Sequence, residues 1–152
     1  MLEHIEENVL VGVLQELMRS SGERGVEQAQ RCHWQISSWK NDGIMPEQAI
    51  TLAEDDIQLR MARVYGSYQR QLHAYNAFDL DDLILQTVQL FGNHDEVLNS
   101  WQDRIHYLLV DEYQDTNSMQ YQLVKMLAAR RKCLTAVGDD DQSVYAWRGA
   151  RP

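Results

Sequence analysis

Two short apolar runs, separated by about one helix length, narrow the fold more than any other feature of the chain. The first run, His106, Tyr107, Leu108, Leu109 and Val110, stops abruptly at Asp111 and Glu112. The second, Cys133, Leu134, Thr135, Ala136 and Val137, stops at Gly138 and Asp139. Short apolar, partly β-branched runs of this kind read as buried strands. Between them, Thr116 or Asn117 offers a helix cap, and Leu123, Val124 and Leu127 give the helix an apolar side. Strand, helix and strand at this spacing predict a parallel, right-handed βαβ unit. Two parallel strands make a poor sheet by themselves, because such sheets normally have further neighbours and both faces covered. The chain therefore reads as an excised piece of a larger fold.

Upstream of these runs the pattern is helical. Val9, Leu10, Val13, Leu14 and Leu17 recur at helical spacing until Ser20-Ser21-Gly22. Val26, Ala29, His33, Ile36 and Trp39 predict a second helix closed by Asn41-Asp42-Gly43. Pro46 suits the first turn of a short third helix carrying Ala49, Ile50 and Ala53. Ile57, Met61, Val64, Tyr68, Leu72 and Tyr75 mark a long amphipathic helix, the clearest in the chain. Asp79 is expected to cap a further helix, with Asp82 at its third position and Gly92 at its C-terminal end. Asp95 is expected to cap one more, carrying Val97, Leu98, Trp101 and Ile105. The fold class is thus mainly α with a small parallel βαβ part, and the change of character falls near residues 76–95.

Chemistry gathers where the first predicted strand ends. In open α/β sheets, ligands bind in the crevice outside the carboxyl ends of the strands. Asp111 there suits Mg²⁺, which keeps most of its waters and takes its other oxygens from phosphates. Glu112 can take a proton from an attacking water. The plainer reading of such a pair is a helix cap and a solvated turn. The extended run Asp-Glu-x-Gln-Asp, Asp111 to Asp115, is more specific than the pair.

Val110-Asp111-Glu112-Tyr113-Gln114-Asp115 resembles the Walker B element of Rep/UvrD-type superfamily 1 DNA helicases. The segment from Val137 to Ala150, with Gly138-Asp139-Asp140-Asp141-Gln142 and Tyr145-Ala146-Trp147-Arg148-Gly149, resembles motif III of the same family. The order is the family's, and the gap is the length of a helix. The resemblance implies a helical inserted subdomain over residues 1–85. It implies part of a RecA-like α/β motor domain, of the P-loop NTPase type, over residues 86–152. It gives Asp111 the Mg²⁺, Glu112 the general-base role, and Gln142 contact with the nucleotide γ-phosphate and its coupling to DNA. Tyr145, Trp147 and Arg148 would then hold single-stranded DNA, with ATP and Mg²⁺ as cofactors. Aromatic faces accept any base, which suits a motor that walks on any sequence. Taken alone, Tyr145 and Trp147 also fit core packing, and Arg148 an ion pair with a nearby Asp. Phe78-Asp79-Leu80-Asp81-Asp82-Leu83 resembles a recurrent acidic segment of the family as well, although helix capping accounts for its acids. Asp139, Asp140 and Asp141 read as a turn with local side-chain bonds rather than a second metal site.

Composition sets the outer limits. The 152 residues carry a net charge of −9, which disfavours general binding to a nucleic-acid backbone. A local basic surface, from Arg130, Arg131, Lys132, Arg148 and Arg151, is still open. No apolar run reaches membrane-spanning length. Cys32 and Cys133 have neither CxxC nor zinc-ligand spacing, so a reducing cytoplasm is the expected setting. Trp34, Trp39 and Trp101 stand outside any motif and are expected in the core.

No glycine is followed by Lys-Ser or Lys-Thr, so the phosphate-cradling G-x-x-x-x-G-K-[ST] loop is missing from these residues. The expected activity is therefore that of a parent protein: ATP-driven 3′-to-5′ translocation on single-stranded DNA and unwinding at forks. The 152 residues alone are expected to be inactive. Alternatives are the helicase subunit of a recombination nuclease complex, a non-catalytic helical interaction module, and a metal-dependent phosphodiesterase. Intact Asp111, Glu112 and Gln142 argue against the second, and the lack of another convincing ligand set argues against the third.

Overall fold

The computed structural model describes residues 3–4, 6–19, 22 and 25–138. These residues are mostly helical, with two small two-stranded parallel sheets. The chain divides into two compact units, and the division falls at residues 40/41, 43/44 and 83/84.

The first unit is built from α1 (Glu7–Arg19), α2 (Val26–Asn41), α3 (Pro46–Leu52) and α4 (Asp56–Ala74). Strand β1 (Glu3–His4) runs parallel to β2 (Ala77–Phe78). The local signals explain the helix ends. Pro46 stands in the first turn of α3, where its missing N–H costs nothing. Asp55 caps α4, its side chain accepting from the Gln58 amide at 2.7 Å. After α4, Asn76 turns the chain into β2 at φ 53°, the left-handed region that Asn tolerates.

Leu10, Val11, Leu14 and Met18 of α1 meet Ala29, Cys32, Ile36 and Trp39 of α2 in one buried cluster with Ala62, Val64, Tyr65, Tyr68 and Leu72 of α4. Trp39 stacks on Tyr65 with ring centroids 5.8 Å apart. The Tyr65 hydroxyl reaches the Ile44 carbonyl at 3.1 Å, so its polar end is satisfied.

The same unit buries a lysine. Lys40 lies completely inside, its Nζ 2.6 Å from Asp79 Oδ2 and 2.9 Å from Asp82 Oδ1. Asp79 precedes α5 (Leu80–Asn93) and caps it, accepting from the Asp82 amide at 2.9 Å. The expected capping role holds, but the acids also neutralise a buried cation that nothing near them in sequence announces.

In the second unit, α6 (Asp95–Arg104) packs on α7 (Ser118–Ala128), and Gln102 Nε2 donates to the Met126 carbonyl at 2.7 Å. Asn117 caps α7 in a reciprocal capping box with Gln120. Strands β3 (Leu108–Val110) and β4 (Leu134–Ala136) pair in parallel, Leu108 opposite Leu134 and Val110 opposite Ala136. The βαβ expectation is met, with each strand shorter than its apolar run.

Several expectations fail. The strands are not buried: Leu109 is 63% exposed, and no residue of α7 is buried. A two-stranded sheet with one helix lacks the atoms to cover both of its faces. Gly92 lies inside α5 rather than closing it, and Asp95 is the first residue of α6 rather than its cap. Trp39 is in the core, but Trp34 is 55% and Trp101 46% exposed. Trp101 lies under the Arg104 guanidinium, 5.4 Å from its ring centroid, which gives the ring a partner at the surface.

Candidate functional site

The end of β3 is where the fold brings chemistry-bearing residues together. The strand stops because the next residues leave extended geometry. Glu112 adopts φ 51° and ψ 43°, a left-handed conformation that is strained for a residue with a Cβ. Tyr113–Asp115 then form one 3₁₀ turn, closed by the Asp115 amide on the Glu112 carbonyl at 2.9 Å.

The end of β4 is stitched to this turn. The Tyr113 amide donates to the Val137 carbonyl at 3.0 Å, and the Val137 amide to the Val110 carbonyl at 2.8 Å. Gly138 allows the close approach. A Cβ there would stand 3.1 Å from the backbone nitrogens of both Tyr113 and Gln114. The carboxyl ends of two parallel strands therefore meet beside two acids, the placement that favours a ligand crevice in α/β sheets.

Asp111 and Glu112 are both exposed. Asp111 Oδ1 accepts from the Glu112 amide at 2.8 Å. Gln114 is buried, and its Nε2 donates to Glu112 Oε2. One Asp115 oxygen, Oδ1, is buried with no hydrogen-bond partner. Among the described residues no group of three or more His, Cys, Asp or Glu could enclose a metal ion. That donor set does not make a protein cage. It does fit Mg²⁺, which is held through one or two carboxylates while keeping its waters and binding phosphates.

Of the residues expected to act, the structure brings Asp111 and Glu112 together. Gln142, Tyr145, Trp147 and Arg148 lie outside the described residues. Sequence reasoning missed the parts played by Gln114 and Gly138. Both lay inside quoted motifs, but only the turn geometry shows one steadying Glu112 and the other admitting the neighbouring strand. The acids of the segment 78–83 turn inward instead: Asp79 and Asp82 are consumed by Lys40 and by capping. Among the described residues no helix is long and apolar enough to cross a membrane.

Comparison with known proteins agrees with this architecture. The model of the UvrD/REP helicase N-terminal domain matches residues 2–152. The ATP-dependent DNA helicase Rep of Salmonella typhimurium is 53% identical over 117 residues, covering 77% of this chain and 17% of the relative. Rep of Buchnera aphidicola subsp. Acyrthosiphon pisum is 40% identical over 148 residues, covering 97% of the chain and 23% of the relative. The ATP-dependent DNA helicase PcrA of Staphylococcus aureus is 50% identical over 115 residues, covering 76% and 16%. The chain thus spans about a fifth of the length of these curated relatives. With the family's domain model matched over nearly every residue, the chain belongs to the UvrD/REP helicase N-terminal domain family.

Proposed function

We propose that this chain is part of an ATP-dependent 3′-to-5′ DNA helicase that moves along single-stranded DNA and opens duplexes at forks. The observation that carries the reading is the exposed Asp111-Glu112 pair at the carboxyl end of β3, with the end of β4 stitched beside it. The names of the relatives support ATP and DNA as its ligands. The direction of travel rests on the family resemblance. In this reading residues 1–85 are the helical inserted subdomain and residues 86–152 part of the RecA-like motor, in a cytoplasmic protein.

Asp111 is the residue that would hold Mg²⁺, and the ion when bound supplies charge neutralisation on the nucleotide phosphates. Glu112 takes a proton from the water that attacks the γ-phosphoryl group, and ADP is the leaving group. Gln114 steadies that carboxylate from its buried position. Beyond the described residues, Gln142 contacts the γ-phosphate. Tyr145 and Trp147 stack on bases, and Arg148 meets a phosphate. The 152 residues alone do not turn over ATP, because no phosphate-cradling loop is among them.

The test separates the two acids in the longer protein. Glu112→Gln keeps the shape of the side chain and loses the base. Turnover is expected to fall by about 10²–10⁴-fold with nucleotide binding retained. Asp111→Asn is expected to weaken binding in Mg²⁺ and leave Mg²⁺-free binding unchanged. Identical defects in nucleotide titrations with and without Mg²⁺ would sink the assignment. So would DNA-stimulated phosphate release by the pure 152-residue chain that disappears in Glu112→Gln.

A further inference from the structure

Lys40, Asp79 and Asp82 place one ammonium against two carboxylates, all three side chains at most 4% exposed. If both acids were ionised, the node would hold an excess negative charge away from water, which is costly unless a proton or a second cation removes it. Among the described residues, Lys40 is the cation paired with both acids. From α2, Ser37 bonds Asp81, and His33 acts on Asp81 from farther off. From α4, Tyr65, Tyr68 and Gln69 face the node, and from α3, Glu47 adds negative charge near Tyr65. From α5 itself, Asp81 adds another carboxyl.

The two carboxylates are unequally served. Asp79 accepts from Lys40 at 2.6 Å, from the Tyr68 hydroxyl at 2.8 Å and from the Asp82 amide at 2.9 Å. Asp82 shares Lys40 at 2.9 Å, but its other donors are distant: Gln69 Nε2 at 3.3 Å and the Asp79 amide at 3.4 Å. Gln69 also leaves its Oε1 buried without a hydrogen-bond partner.

We propose that this node is a one-proton site, most stable as an ammonium, one carboxylate on Asp79 and one carboxylic acid on Asp82. The asymmetry of donors decides which acid keeps the proton. The electrostatics point the same way. Burial raises the Asp82 carboxyl, and the Asp79 charge raises it further against the pull of Lys40. Burial works to raise Asp79 as well, but the charge and hydrogen bond of Lys40, with the Asp82 amide and Tyr68, bring it below the usual carboxylate value.

The signs follow from linkage. Asp82, raised, contributes stability that is complete below the ordinary carboxylate value of 3.8 and is lost as pH rises through its folded value. Asp79, lowered, contributes stability that is present above 3.8 and is lost as pH falls through its folded value. The first unit is thus pulled in opposite directions by two acids three residues apart.

Carbon-13 titration of the carboxyl groups in the 152-residue chain tests this directly. Asp82 is expected to titrate above the ordinary value and Asp79 below it. Urea unfolding across pH gives a second reading. Asp82→Asn, which mimics the protonated acid, is expected to be more stable than the natural chain at alkaline pH and to converge with it in acid. Asp79→Asn is expected to be less stable at alkaline pH. His33 is common to the natural chain and both variants, so the difference between them isolates the acids. An Asp82 carboxyl titrating at or below the ordinary value overturns the proposal. So does an Asp82→Asn chain that loses as much stability at alkaline pH as Asp79→Asn.

Discussion

Asp79 and Asp82 follow the short parallel strand Ala77–Phe78, and Asp111 and Glu112 follow the short parallel strand Leu108–Val110. Locally the two stretches are built alike, with acids directly after a strand and a turn or helix behind them. Their surroundings are opposite. The first pair is buried against Lys40, and the second stands in solvent with Gln114 as the side chain steadying Glu112. The difference comes from residues distant in sequence: α2 delivers a lysine to one strand end, and the neighbouring β4 delivers only backbone and Gly138 to the other. Acids that are neutralised hold a fold together, whereas acids left exposed at a strand end are available to a ligand.

The sharpest way to break this comparison is to remove the cation. Lys40→Met leaves Asp79 buried without its ammonium, and a loss of about 3–5 kcal/mol is expected in urea unfolding of the first unit. Asp111→Asn and Glu112→Gln in the same chain are expected to change stability by less than about 0.5 kcal/mol. If substituting the exposed acids proved as costly as removing Lys40, the contrast would collapse. Hydrogen exchange in the natural chain sharpens it further: amides in the middle of α4 are expected to exchange more slowly than those of 108–110 and 134–136.

A smaller effect is expected on DNA binding by the longer protein. Trp147→Ala should weaken single-strand affinity by about 1–3 kcal/mol with little dependence on base sequence or salt. Arg148→Ala should lower the slope of affinity against salt by about one unit. Unchanged affinity in a well-folded Trp147→Ala protein would remove that residue from the working face.

The smallest effect tests the stitch between the strand ends. Gly138→Ala forces a Cβ against the backbone of Tyr113 and Gln114 and is expected to cost about 1 kcal/mol. The cost should appear as faster exchange of the Tyr113 amide, which bonds the Val137 carbonyl. Unaltered exchange there would mean that the turn tolerates separation from β4.

Much of the fold was legible because it depends on local rules. Pro46 opens α3, Asp79 and Asn117 cap their helices, and the two apolar runs pair in parallel. What could not be read depends on partners brought from elsewhere. Spacing gave the long helix and the middle of its buried side, Val64, Tyr68 and Leu72; the end positions Ile57 and Tyr75 are exposed, and Tyr65, outside the expected stripe, is completely buried. Trp34 and Trp101 are apolar enough for a core, yet they are 55% and 46% exposed. Lys40 gave no signal at all, since a lysine near the end of a helix reads as a solvated cation. At the candidate site the motif identified Asp111 and Glu112, but the left-handed turn that presents them has no signature in the sequence.

The reach of the Lys40 contact also bears on how the chain is made. Lys40 and Asp79 are 39 residues apart, so an emerging chain carries an uncompensated lysine in α2 until the start of α5 has been synthesised. Closing that span, and the longer one that brings Glu3 beside Ala77, costs entropy before any contact repays it. The first unit is therefore expected to commit late during translation, when the chain has already begun its second unit. Nascent chains arrested with residue 76 as the last one free should be readily proteolysed, and those freed as far as residue 90 should resist. Equal sensitivity would show that the helices consolidate before their counter-ions arrive.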